Sequence, residues 1–288
     1  MNDEQNARRT LLKLGAGGLA LAATLDAGKA AAQAQPNSLL RKVLDRGKLI
    51  VGTGSTNAPW HFEDEKGQLT GMDIAMARIL AKALFDDESK IDFVRQDPAA
   101  RIPNITTGKV DIVIQFMTIS GQRAQLVAFT RPYYIEGVAL LVRPDAEMKT
   151  FDQLLAAGSK ARISVLQNVD ADNLVHQVLP QATVMQLDTQ ANVVQALESR
   201  RVDGAAVDLS TVRWMVARNP EKYGDAGKAW SSQLYGAALR QGDLDWLQFV
   251  NTVFSVAMYG HQTQIYDDAF KQFFGLEPPQ RKPGFPNV

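Results

Sequence analysis

Short apolar runs alternate with helical patterns along most of the chain, and this alternation limits the fold more than any other feature. Strand-like runs fall at residues 49–51, 91–94, 110–114, 138–142, 163–166, 183–185, 204–207 and 236–239. They are brief and rich in β-branched residues, as buried strands are. Between them, Asp73 is placed to cap a helix whose apolar face is Ile74, Ala77, Leu80, Ala81 and Leu84. Residues 192–200 and 244–258 repeat the helical pattern, the latter with Leu247, Val250, Phe254 and Met258 on one face. Parallel strands need crossover connections, so the alternation predicts an α/β protein with mainly parallel sheets.

The two halves echo each other. In the first, the strand at 49–51 is followed by a helical stretch and then Gly108-Lys109-Val110-Asp111-Ile112. In the second, the strand at 163–165 is followed by a helical stretch and then Arg200-Arg201-Val202-Asp203-Gly204. Two similar α/β lobes are the economical reading, and chance similarity between any two βα units is the alternative. The 288-residue length suits two domains or one large one.

Composition removes several classes of function. Lys+Arg and Asp+Glu number 31 each, and 45% of residues are hydrophobic. Such a chain has too much apolar content and too little net charge to be disordered. It also lacks the basic excess of a dedicated nucleic-acid binder, so no nucleic-acid partner is expected. With no cysteine there is no disulfide, thiolate metal site, iron–sulfur cluster or cysteine nucleophile. His61, His176 and His261 are scattered without metal-binding spacing. No nucleophile elbow or phosphate-cradling glycine loop occurs, and Gly52-Thr53-Gly54 lacks the third glycine of a dinucleotide fingerprint. We therefore expect no enzymatic activity, no cofactor and no metal.

The N-terminus reads as an export signal over residues 1–34. Arg8-Arg9 is followed by Leu11-Leu12-Lys13, then an apolar run over 14–25, then Ala32-Gln33-Ala34 as a cleavage site. The run is about 12 residues long, too short to span a hydrocarbon core as a helix. The expected location is the periplasm. Pro278 to Val288 carries four prolines and reads as an extended tail.

Several ordered pieces resemble one family. They are Thr118-Ile119-Ser120-Gly121-Gln122-Arg123, Val127-Ala128-Phe129-Thr130-Arg131-Pro132-Tyr133-Tyr134, and Gly71-Met72-Asp73-Ile74. To these add Phe151-Asp152-Gln153-Leu154, Val165-Leu166-Gln167, and Tyr235-Gly236-Ala237-Ala238-Leu239-Arg240. From about residue 40 to 275 the chain resembles the bacterial extracellular solute-binding proteins of family 3, the amino-acid-binding proteins of ABC importers. The resemblance implies a two-lobed periplasmic binding protein fold of type II, with two hinge strands near 135–138 and 233–241. It places the first lobe at 35–136 and 235–277, the second at 137–234, and the tail at 278–288. It also implies a monomer that binds an amino acid or similar small carboxylate and partners an inner-membrane ABC permease.

A free amino acid presents a carboxylate beside an ammonium, and burying both requires a partner for each. A planar guanidinium suits the carboxylate. Arg123 holds the family position for that task, after Ser120 as helix cap, and Thr118 is expected to add an amide or hydroxyl. Asp208 ends the run at 204–207, where ligands meet an α/β sheet, and the resemblance makes it the ammonium partner. Its alternative role is an ordinary helix cap. Asp170 stands where the family usually has a small hydroxyl residue. Its carboxylate would repel the ligand's, so a backbone amide or helix-capping role is expected.

The remaining candidates bear on specificity. Asn57 and Pro98 stand where the family often has aromatic rings, and Gly54 where cationic-ligand members have an acid, which disfavours lysine and arginine. Arg101 matches the position where binders of acidic amino acids place an arginine; a cap on a surface helix is the alternative. A polar or acidic amino acid is the expected ligand. Gln190 is a second-lobe candidate, and Trp60 and His61 lie near the cleft mouth, for ligand contact or for packing. The alternatives to an importer are a dehydratase of cyclohexadienyl or arogenate type on the same scaffold, a detached sensor lobe, and a binder of another carboxylate.

Overall fold

The computed structural model describes residues 38–168 and 170–281. The expected export signal at 1–34 and the end of the expected tail, 282–288, lie outside the described residues. The chain runs through α1 (Leu39–Arg46), β1 (Leu49–Thr53), β2 (Thr56–Asn57), β3 (His61–Glu63), β4 (Leu69–Thr70) and α2 (Met72–Phe85). Then come β5 (Ile91–Arg95), α3 (Arg101–Thr106), β6 (Ile112–Val113), α4 (Gly121–Ala124), β7 (Ala128–Phe129) and β8 (Tyr134–Val142). Next are α5 (Phe151–Ala157), β9 (Arg162–Leu166), α6 (Ala171–His176), β10 (Thr183–Leu187), α7 (Gln190–Glu198) and β11 (Gly204–Asp208). The last are α8 (Leu209–Arg218), β12 (Gly224–Tyr235), β13 (Ala238–Leu239), α9 (Leu244–Tyr259) and α10 (Gln264–Phe274).

Two five-stranded sheets result, ordered β5-β1-β6-β13-β7 and β10-β9-β11-β8-β12. In the first, β1 runs parallel to β5 and β6, and β13 joins antiparallel. In the second, β9 runs parallel to β10 and β11, and β8 joins antiparallel. Each sheet thus has the parallel βαβ core that the alternation demands, plus antiparallel strands where the chain crosses or returns. The crossing is a paired ribbon: Tyr134 lies opposite Tyr235, Ile135 opposite Leu234 and Glu136 opposite Gln233.

The alternating face of a strand explains the two cores of the second lobe. Val138, Leu140 and Val142 pack with Phe151, Ile163 and Val175 on one side. Ala139 and Leu141 pack with Val193, Leu197 and Val212 on the other. In the first lobe α2 packs against β1, with α9 and α10 outside it, around Trp60, Met76, Leu80, Trp246 and Phe254.

One local expectation is corrected. Asp73 does not cap α2; Gly71 holds that position without a side-chain bond. Asp73 is instead wholly buried and accepts hydrogen bonds from His61 Nδ1 at 2.8 Å, Phe116 N at 2.9 Å and Tyr133 Oη at 2.9 Å. These donors come from three separate segments, so long-range pairing outweighs the local cap. Two strand runs are also shorter than expected: only 112–113 of the run 110–114 and 238–239 of the run 236–239 form strand. Replacing Asp73 by Ala strands three buried donors and is expected to cost at least about 3 kcal/mol. Urea denaturation of the two proteins measures it.

Candidate functional site

The C-terminal ends of the parallel strands in both sheets open onto one cavity of about 450 Å³. Arg101, Phe116, Thr118 and Arg123 line it from the first sheet; Leu166, Asp170, Gln190 and Asp208 line it from the second. This is where α/β sheets bind ligands, since strand ends there leave backbone groups and helix starts unpaired.

Arg123 sits in α4, whose cap is Ser120; the Ser120 hydroxyl accepts from Arg123 N. Arg123 Nη1 donates to Thr118 O at 2.8 Å, which anchors one edge of the guanidinium. Burial pulls its pKa down, while the Asp170 carboxylate acts in the opposite sense. Thr118 turns its hydroxyl to Gln233 Oε1 at 2.8 Å, so its side chain ties the crossing ribbon. Arg101 is 6% exposed, which removes the surface-cap alternative. Its Nε donates to Pro98 O and its Nη1 to Gln115 O, and it lies over the Phe116 ring at 5.6 Å. None of these contacts is with a carboxylate, and burial with the neighbouring Arg123 charge lowers its pKa to about 9.

Asp208 ends β11 and occupies the cap position of α8, yet its side chain makes no capping bond. Oδ1 accepts from Tyr235 Oη at 2.7 Å, and Oδ2 is buried without a partner. Burial first and then the Glu136 charge push the Asp208 carboxyl well above its ordinary range. Gln190 Nε2 is likewise buried and unpartnered on the cavity wall. Buried polar atoms are usually paired, so these two on the cavity wall are open to a further partner. Asp170 holds the N-cap position of α6 without a side-chain capping bond, and its amide donates to Asn168 Oδ1.

Asn57 and Trp60 stand apart from this cavity. Asn57 lines a neighbouring compartment of about 170 Å³ that shares Phe116, Leu166 and Gln190 with the first. Trp60 is wholly buried among Tyr133, Tyr134, Tyr235 and Phe274 and lines neither space. Gly54 has a steric reason: a Cβ there would lie 2.6 Å from His61 Cδ2. His61 itself stacks on Phe116, and burial lowers its pKa despite the Asp73 carboxylate.

Residues 49–275 match the family of bacterial extracellular solute-binding proteins, family 3. The chain belongs to that family. It is 31% identical over 233 residues to the L-cystine-binding protein TcyJ of Escherichia coli (strain K12), covering 80% of this chain and 85% of that one. It is 29% identical to the glutamine-binding protein of Geobacillus stearothermophilus, over 73% and 79% of the two chains. Among solved structures it superposes on the ancestral amino acid-binding protein AncCDT-1, a precursor of cyclohexadienyl dehydratase, with a TM-score of 0.72 and 29% identity. That match covers 82% of this chain and all of the other. The two-sheet α/β architecture is the two-lobed periplasmic binding fold, in a family whose curated relatives include amino-acid-binding proteins of ABC transporters.

Sequence reasoning passed over Phe116 and the Tyr235 hydroxyl as site groups. Phe116 has φ +32, an uncommon value for a residue with a side chain, and it sets the ring between His61 and Arg101. No sequence signal marks it. Tyr235 sits in the quoted returning strand, but its role as donor to Asp208 depends on the ribbon pairing.

The raised pKa of Asp208 has a definite sign. The folded state holds this proton more tightly than the unfolded chain, whose carboxyl titrates near 3.8. Stability is therefore lost as pH rises above that value toward the folded pKa. Asp208→Asn is expected to raise the melting temperature of the ligand-free protein at neutral pH and to flatten its fall between mildly acid and neutral pH. Calorimetric scans across that range check both.

Proposed function

We propose that this protein captures an amino acid with a polar or acidic side chain in the periplasm and delivers it, as a monomer, to an inner-membrane ABC permease. One observation carries the reading: Arg123 and Asp208 line the same cavity from opposite sheets, and one Asp208 carboxylate oxygen is buried without a partner. Arg123 takes the ligand carboxylate and Asp208 its ammonium. Arg101, buried with no carboxylate contact, favours a second anionic or strongly accepting group on the side chain. The amide side chains of Asn57, Gln96 and Gln115 in the compartment beyond it support a polar side chain. The lobes in this reading are 35–136 with 235–277, and 137–234, closing on ligand about the crossing ribbon. The residue pattern of 1–34 supports export.

Arg123→Ala is expected to weaken binding at least about thirtyfold, since it leaves a carboxylate unpaired in the cleft. Titration calorimetry with L-glutamate and L-glutamine measures it, and undiminished affinity removes the assignment. Because an ammonium stabilises the Asp208 carboxylate, binding should release protons and tighten as pH rises through the empty-site pKa. The released protons appear as a buffer-dependent binding enthalpy, which Asp208→Asn abolishes. L-Glutamate or L-aspartate should raise the melting temperature more than L-leucine does; equal shifts discard the side-chain role of Arg101.

A second reading has one observation in its favour. Glu136 and Asp208 are buried acids whose pKa values are both raised, as a general acid requires. Turnover of prephenate or arogenate by the purified protein would establish a dehydratase; binding without turnover is the expected result.

A further inference from the structure

The lobes touch beside the cleft, and the contact is polar, buried and local. Helix α8 begins directly after Asp208, and its first turn carries Ser210 and Thr211. Thr211 Oγ1 lies 3.1 Å from Asn57 Oδ1 and 3.0 Å from Ala58 O. Trp60 Nε1 donates to Ser210 Oγ at 2.9 Å, and Ser210 Oγ donates to Glu136 Oε2 at 2.5 Å. Asn57, Trp60, Glu136, Ser210 and Thr211 are each 5% exposed or less. The segment 57–60 belongs to the first sheet's lobe, and α8 packs on the second sheet, so these bonds run across the boundary.

A hydroxyl has a single proton. Glu136 takes the one on Ser210, which leaves the serine lone pairs for the indole N–H. Gly137 N holds Glu136 Oε1 at 2.9 Å, so the acceptor is itself fixed. The register adds a link to the cleft. Asp208 lies opposite Val138, and side chains two residues apart share a strand face, so Glu136 stands on the same face as Asp208. One residue, Leu209, separates Asp208 from Ser210.

We infer that Ser210 and Thr211, held by Glu136, form a clasp that grips Asn57, Ala58 and Trp60 and fixes the spacing of the two lobes. Asn57 and Trp60 thereby act as positioning residues rather than ligand contacts. The inference needs only the two-lobed fold and stands apart from the identity of the ligand.

The full chain has no cysteine, so Glu65→Cys and Ser159→Cys, at exposed sites on opposite lobes, give a dye pair for single-molecule energy transfer. Distances are recorded in the parent, in Ser210→Ala/Thr211→Val and in Thr211→Ser, without amino acid and with saturating L-glutamate or L-glutamine. Loss of these bonds should move the short-to-long distance ratio about tenfold toward long. Thr211→Ser keeps its hydroxyl and should match the parent. A parent-like distribution in the double variant, both with and without amino acid, overturns the clasp. So does a Thr211→Ser protein displaced as far as the double variant. If the double variant does not fold, Thr211→Val alone is read against Thr211→Ser by the same criterion. If neither amino acid alters the parent but the double variant still lengthens, the clasp stands and the ligand reading fails.

Discussion

The structure depends on a buried carboxylate that no ion pair holds. Asp208 ends a central strand, is hidden from water, accepts one phenol hydroxyl and keeps one oxygen unpaired. A buried acid in that state opposes folding at neutral pH, either by holding a proton or by remaining charged in a medium that solvates it poorly. The fold supports it through the apolar interiors on both faces of the second sheet. In the proposed reading, burial that would count as a flaw in a purely structural protein becomes binding energy once an ammonium arrives, because the ligand meets an acceptor already stripped of water.

The two guanidiniums of the cavity show why position matters more than residue type. Arg123 is tied by one backbone carbonyl and faces Asp170 across the cleft, so its charge is partly balanced before any ligand binds. Arg101 is more deeply buried and is held by two carbonyls and a ring face, with no acid in contact. Carbonyl dipoles and a ring quadrupole soften the cost of burying a cation but do not cancel the charge. In the proposed reading the first arginine therefore suits a ligand that is neutral overall, whereas the second gains most from an anion.

Much of this was legible in the sequence because it is local. Strand runs and crossovers follow from residue periodicity, and a strand's C-terminal end is a known place, so Arg123, Asp208, Gln190 and Arg101 were placed on one cavity from pattern and resemblance. Asn57 and Trp60 were read as cleft residues on the same grounds, yet the first lines a side compartment and the second packs in an aromatic cluster. The reason is geometric. Both also bond to α8, some 150 residues along the chain, and no local pattern records what a distant helix will cover. Asp73 failed in the same way: a good capping residue by spacing, it is claimed by donors 12, 43 and 60 residues away.

The first turn of α8 joins the two themes. Asp208 at its cap position faces the cavity, while Ser210 and Thr211 face the other lobe. A short rigid helix start cannot move one of these without moving the others, since its backbone hydrogen bonds fix them at successive positions. Whatever pulls on the Asp208 carboxylate therefore pulls on the contact between lobes. In the opposite direction, the lobe contact sets where the carboxylate waits. In the proposed reading, ligand charge and lobe spacing are thus coupled through the covalent geometry from Asp208 to Thr211, and no longer pathway through the fold is needed.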